Sequence, residues 1–370
     1  MRNLKQPHKT AGLEFLSVVS SAADQVAAAI HAAGGAIPFS EFMNISLYAE
    51  NGFYSSSGRA GRRGDFITSP EVGPLFGTVL ARSLDAWWRE LGEPDEFTVV
   101  DAGAGPGTLA RSILAAAPQC SNALRYVAVE VSAAQRELHP SDVESRSSMP
   151  SGPITGVVLA NELLDNLPFR LFVFDGTWQE AYVAIGDGGG SGSFVEALHT
   201  PQSLPAGLPQ LAPHGARVPV QTQAAQWVDD TLRLIERGRL VVFDYCTPTT
   251  SELANRSWRE WLRTFRQHER GGHYLRSPGE QDITSQVVVE QLPVPTSSAT
   301  QADFLRQWDV DALVGEGREY WSQHASAPDL AAMKMRSRIS EAEALLELDG
   351  LGSFSVLQWV RANRGVISHD

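Results

Sequence analysis

Cysteine is nearly absent from this chain of 370 residues: Cys120 and Cys246 are the two present. They form no C-x-x-C pair, and the nine histidines never fall in an H-x-x-x-H spacing. A disulfide scaffold and a structural zinc site are therefore not expected, and no metal is assigned. Both thiols read as core or surface groups in a reducing compartment. Positive charge is also in deficit. Thirty Lys and Arg face 43 Asp and Glu, for a net charge of −13. That balance argues against general affinity for a nucleic-acid backbone or an anionic membrane. A basic protein partner suits such a surface better. Long apolar runs are missing too. The alanine-rich run 22–33 contains Asp24, Gln25 and His31 and is too short and polar to span a bilayer. Nothing near the start resembles a secretory signal. The expectation is a cytoplasmic protein without membrane insertion, and no internal repeat is visible.

What the chain does have is an apolar strand, Phe97–Val100, running into Asp101, Gly103, Gly105 and Gly107, then into a helix-prone segment, 109–117. Glycines let a backbone turn tightly and approach a ligand closely. The helix amides face the same ligand. An α/β domain builds a nucleotide-type pocket in this way at a strand's carboxyl end. The spacing discriminates between ligands. A dinucleotide fingerprint is G-x-G-x-x-G, and Thr108 stands where its third glycine belongs. Pro106 removes an amide that a pyrophosphate would use. Asp101 repels phosphate and can help hold a cation. S-adenosylmethionine (SAM), with an ammonium, a sulfonium and no phosphate, suits the loop better than NAD or ATP.

A second strand, 125–129, ends in Glu130, 23 residues beyond Gly107. A carboxylate there can accept hydrogen bonds from both ribose hydroxyls; the alternative is a solvated acid at a strand end.

Strands and helices then alternate, which argues for a mostly parallel sheet with helices on both faces. Strands are expected at Tyr126–Val129, Val157–Ala160 and Arg239–Asp244, with helices at 75–91 and 227–236. A hairpin is expected over Arg170–Ile185, turning at Asp175-Gly176. Residues 11–33 read as a helix, and Ser40 as the N-cap of another. A strand is expected at Thr284–Val289. The organisation read from this is an N-terminal helical region over 1–95, a Rossmann-like core over 96–250 with a hairpin insertion at about 170–220, and a C-terminal α/β extension over 251–370.

Two further clusters carry chemistry. Asn161, Glu162 and Asp165 follow a buried strand whose end faces the ligand crevice. Paired carboxylates can clamp a guanidinium and accept the proton it releases on methylation. The alternative is that Glu162 caps the loop and Asp165 begins a turn. In Gly64-Asp65-Phe66-Ile67-Thr68-Ser69-Pro70-Glu71, Thr68, Ser69 and Glu71 can reach a ligand, or Ser69 can simply cap the next helix. Asp282 and Thr284 form a third candidate, and His273 and Tyr274 are candidates for the pocket entrance.

These residues together resemble the MidA family of SAM-dependent methyltransferases, which includes a mitochondrial complex I assembly factor that methylates arginine. The matching pieces run in order: Phe42-Met43 with Gly52-Phe53-Tyr54, the Gly64–Glu71 string, the Gly103–Leu109 loop, Asn161–Pro168 and Pro278–Thr284. The resemblance implies a class I SAM-dependent methyltransferase fold, Rossmann-like, with helical N-terminal and mixed α/β inserted additions. It implies SAM at Gly103, Gly105, Gly107 and Glu130, with the Thr68-Ser69 loop closing over the site; Asp101 and Asn161 are further expected cofactor contacts. Glu162, Asp165 and Glu71 are the expected catalytic residues, acting on a protein substrate. Two stretches depart from the family. Asp101-Ala102-Gly103-Ala104-Gly105 replaces its Glu-Leu-Gly-Pro-Gly, and Leu163-Leu164 replaces an aromatic pair next to the acceptor. A small-molecule methyltransferase and a non-catalytic SAM-binding assembly protein are the competing readings.

Overall fold

The computed structural model describes residues 20–56, 68–186, 193–266 and 269–361. Its centre is a seven-stranded sheet: β1 (Phe97–Ala102), β2 (Leu124–Val129), β3 (Glu144–Arg146), β4 (Ile154–Asn161), β5 (Ile235–Asp244), β6 (Ser297–Thr300) and β7 (Ser355–Arg361). The strand order is β3-β2-β1-β4-β5-β7-β6. Strands β3 through β5 run parallel, and β7 lies antiparallel between β5 and β6. This is the expected α/β class with its mostly parallel sheet. Central strands of such a sheet are covered on both faces and read as continuous apolar runs. All six residues of β1 are buried. Side chains alternate across the pleat. Val99 joins the core under the helices Pro74–Glu90 and Thr108–Ala115, while Val100 joins the one under the helix Thr222–Leu234.

Glycine lets β1, β4 and β5 approach closely. A Cβ on Gly156 would lie 1.9 Å from the Thr98 carbonyl oxygen, and one on Gly238 would lie 1.7 Å from that of Gly156. Sequence order reverses between β1 and β4. A crevice therefore opens outside their carboxyl ends, where ligands bind in open α/β sheets.

The hairpin Arg170–Asp175 and Thr177–Ile185 forms as expected, with Gly176 at φ 75° in its turn. It is the middle of a second sheet with Ala36–Pro38, Phe194–His199 and Arg217–Val220. An aromatic core under this sheet anchors the helix Phe39–Tyr48; Phe39 packs 5.3 Å from Phe169 between ring centroids. That anchoring carries Tyr48 to the crevice.

Several local expectations shift. The helix expected over 11–33 spans Ala22–Ala32, capped by Ser21, and residues 11–19 lie outside the described residues. Pro38, not Ser40, occupies the N-cap of the next helix. Thr68, not Ser69, is the N-cap of the turn Ser69–Val72, because Pro70 fits the first turn and draws Ser69 into it. The helix expected at 227–236 spans Thr222–Leu234, ending where β5 takes over the chain. The strand expected at Thr284–Val289 divides at Gln286. Asp282–Ser285 pairs with Leu262–Arg266, and Val287–Val288 pairs with Cys246–Thr247.

Candidate active site

The crevice is a cavity of about 340 Å³ between the glycine loop, the ends of β2 and β4, and the N-terminal segment. Gly103, Gly105 and Gly107 have φ of 74°, 52° and 77°, left-handed conformations that only glycine adopts freely. A Cβ on Gly105 would meet no protein atom within 4 Å, so this glycine keeps cavity space open. Gly107 acts differently. It lies outside the cavity lining, starts the helix Thr108–Ala115, and a Cβ there would press on Pro140 and His139 at 3.1 and 3.2 Å. The loop is tied down by Glu130, which accepts from the Gly105 amide at 3.0 Å and the Ser132 amide at 2.8 Å. The His139 ring is 2.9 Å from the Gly105 carbonyl oxygen.

Four carboxylates line the cavity, Glu71, Asp101, Glu130 and Glu162, and the described lining contains no Lys, Arg or His. Such a site favours a cation and repels phosphate. Asp101 is buried, and its Oδ2 accepts from the Tyr126 hydroxyl at 3.0 Å. Burial pushes its carboxyl up to about 7, against the pull of that hydrogen bond.

Glu162 sits immediately beyond β4 with φ 52°, a strained conformation for a side-chain-bearing residue. The Phe243 carbonyl holds its amide at 2.8 Å. Its Oε1 accepts from Asn161 Nδ2 at 3.0 Å and its Oε2 from the Tyr245 hydroxyl at 3.2 Å. Burial, and then the Asp165 charge, push its carboxyl up to about 8, while Asn161, Tyr245 and the Ser69 backbone pull it back. Asn161 lines the cavity, and its Oδ1 is buried without a partner. That oxygen is an acceptor waiting for a donor.

Asp165 departs from the paired-clamp expectation. A 3-10 turn over Leu164–Asn166 rotates it out of the cavity lining and leaves it 1% exposed. Its Oδ2 accepts from the Thr284 hydroxyl, and its Oδ1 has no partner. Burial raises its carboxyl to about 6. Ser69 also turns away: it is fully buried, and its hydroxyl donates to Gln301 Oε1 at 2.9 Å. Thr68, Pro70 and Glu71 do line the cavity, and Glu71 Oε1 accepts from the Thr108 hydroxyl at 2.7 Å. Gly64, Asp65, Phe66 and Ile67 lie outside the described residues. Tyr274, a candidate for the entrance, is buried against Phe39, with its hydroxyl on Glu196 at 2.7 Å. Asp282 stands behind the wall and accepts from the Tyr54 hydroxyl at 3.0 Å and from Asn166 Nδ2 at 3.1 Å.

The sequence reading missed Tyr48, Tyr54, Ser147, Ser148, Met149 and Trp227 as lining residues, and Tyr245 as a partner of Glu162. Tyr48 and Tyr54 stack at 5.6 Å and form one wall.

Residues 79–306 match the family described as "Putative S-adenosyl-L-methionine-dependent methyltransferase", over more than half of the chain. The chain belongs to this methyltransferase family. A crystal structure of a COG1565 superfamily member from Burkholderia thailandensis, bound to S-adenosyl-homocysteine, is 28% identical with a TM-score of 0.78, covering 93% of this chain and 92% of that one. The Drosophila melanogaster protein arginine methyltransferase NDUFAF7 homolog, a mitochondrial protein, is 29% identical over 291 residues, 68% of this chain and 65% of its own length. The Danio rerio protein arginine methyltransferase NDUFAF7 is 24% identical over 76% of this chain and 75% of its own length. The match thus spans just under two thirds of the fly relative. The family is described as SAM-dependent, and the cavity fits that donor: open space beside Gly105, an unpartnered Asn161 oxygen and, among the described residues, a wholly acidic set of charged side chains. The cytoplasmic expectation is corrected by these relatives, which are mitochondrial proteins. Among the described residues no helix is long and apolar enough to cross a membrane.

Proposed function

We propose that this methyltransferase acts on a guanidinium nitrogen of an arginine side chain in a protein. One observation carries the reading: Glu162, strained and fixed through both carboxylate oxygens, lines the cofactor cavity at the end of β4, and among the described residues no cation is paired to it. An Arg side chain is the natural partner for such a group. The name of the fly relative points the same way. Bound SAM supplies a methyl group on a positively charged sulfur. Glu130 would accept from its ribose hydroxyls, Asn161 Oδ1 and Asp101 would take its ammonium, and the open space beside Gly105 would leave it room. Thr68 and Glu71 line the same cavity, with Glu71 held by the Thr108 hydroxyl. A free guanidinium holds its proton tightly, with pKa above about 12. Glu162 localises its charge on the other nitrogens and takes the proton released. Positioning supplies much of the remaining acceleration. The stacked Tyr48 and Tyr54 offer aromatic faces to a planar cation.

Incubation of the protein with isotopically labelled SAM and cell extract, followed by mass spectrometry, tests this. Label is expected on an arginine side chain. Label confined to small molecules refutes the reading, and absence of any transfer from a SAM-binding protein supports the assembly-protein alternative.

A further inference from the structure

Strand β5 ends in Asp244, and Asp244-Tyr245 organises the loop that carries Glu162. Asp244 is fully buried. Its Oδ2 accepts from the amides of Leu164 at 3.0 Å and Asp165 at 3.3 Å, and its Oδ1 from the Tyr245 amide at 2.9 Å. One carboxylate thus locks the acidic loop to the residue that follows β5. The Tyr245 ring is fixed edge-on against Phe354 at 4.6 Å. Its hydroxyl donates to Glu162 Oε2 at 3.2 Å. Asp165 also feels that hydroxyl as a stabilising donor, yet its buried Oδ1 has no bonded partner. One hydroxyl therefore stands between two carboxylates and can serve only one at a time.

We propose that Tyr245 is a positioning residue shared by Glu162 and Asp165: its hydroxyl aims the ionised Glu162 carboxylate at the acceptor nitrogen, and turns to Asp165 Oδ1 once Glu162 carries a proton. This rests on the arginine reading above. As the nitrogen takes the methyl group from sulfur, leaving a neutral thioether, it gives one proton to a Glu162 oxygen. Tyr245 keeps its own proton throughout and changes only the oxygen that accepts from it. A protonated Glu162 needs the donor less, and ionised Asp165 then needs it more. Among the described residues, the other groups facing this trio are Asp244, Asp282, Cys246, Tyr48 and Tyr54, with Arg263 acting on Tyr245 from the strand Leu262–Arg266.

The test is a carboxyl-¹³C NMR titration of the full chain saturated with S-adenosylhomocysteine, with signals assigned by their loss in Glu162→Gln and Asp165→Asn. Tyr245→Phe removes only the hydroxyl. It is expected to raise the titration midpoint of Asp165, the first of the pair to ionise, by about one pH unit and to move that of Glu162 far less, because ionisation of Glu162 only passes the hydroxyl from one carboxylate to the other. A rise at Glu162 alone, or at neither, overturns the sharing. Should the Phe variant fail to fold, 3-fluorotyrosine at position 245, a stronger donor of nearly the same shape, is expected to lower the Asp165 midpoint; an unmoved Asp165 overturns the proposal equally. The titration needs no methyl acceptor, so its outcome is independent of the labelling experiment that tests the arginine reading.

Discussion

Replacing Gly105 separates the space that the protein needs from the space that the cofactor needs. In Gly105→Ala the new Cβ meets no protein atom within 4 Å, so the free protein bears only the cost of a left-handed backbone at φ 52°. That cost is about 1–2 kcal/mol for an L-residue and is the same in kind for Gly105→Val. The valine methyls, however, project into the volume bounded by Asp101, Glu130 and Asn161. If SAM lies there, they overpack a close-fitting complex at about 3 kcal/mol, which is about 100-fold in Kd. Calorimetric titration with S-adenosylhomocysteine, alongside thermal melts of the unliganded proteins, reads both quantities. The expected result is a melting temperature lowered by a few degrees in both variants, with affinity down about 100-fold or more in the valine variant and less in the alanine one. A valine variant that melts normally and binds like wild type refutes the placement of the cofactor beside Gly105.

Glu162→Gln is expected to leave S-adenosylhomocysteine affinity unchanged and to lower kcat by about 10²–10⁴-fold, the usual share of a general base; full activity in a steady-state methyl-transfer assay removes Glu162 from the mechanism. Because the Glu162 carboxyl is raised to about 8 and the base is its ionised form, kcat of the wild type is expected to climb as pH rises towards 8 and level off above it, and a rate flat from pH 6 to 9 refutes this. Asp101 is raised to about 7 by burial, so its contribution to stability is present below the unfolded carboxyl pKa and is lost as pH rises through 7. Asp101→Asn should therefore melt higher than wild type at pH 8 and gain little at pH 5, whereas a gain independent of pH contradicts the assignment. Gly156→Ala would drive a Cβ to 1.9 Å from the Thr98 carbonyl oxygen; a loss of about 3 kcal/mol or more is expected in urea unfolding, and a near-wild-type midpoint would mean that β1 and β4 are not so closely apposed.

The parts legible in the sequence are those encoded by contiguous residues. The apolar run before Asp101 and the alternate glycines specify strand, turn and helix within a dozen positions, and the acid ending the next strand follows from the same βαβ logic. Asn161 and Glu162 stood out because a buried strand precedes them. The position of Asp165 off the cavity lining was not legible, because spacing alone does not reveal the 3-10 turn that rotates its carboxylate towards Thr284. Ser69 was misjudged by a one-residue shift of the cap, which swings its hydroxyl from the crevice to Gln301. Tyr48, Tyr54 and Trp227 carry no local signal: each is one aromatic on a separate element, and only tertiary packing brings them together. Tyr245 did have a signal. It directly follows a buried strand of the same sheet, the position that made Glu162 a candidate.

The walls of the cavity are drawn from a wider span than the family match. Tyr48, Tyr54, Thr68, Pro70 and Glu71 all precede residue 79, and β7 lies beyond residue 306. A fragment trimmed to the matched stretch would keep the glycine loop but lose those lining residues and the strand that separates β5 from β6. Shortening the chain to that stretch for expression would discard Tyr48, Tyr54, Thr68, Pro70 and Glu71 from the wall of the cavity.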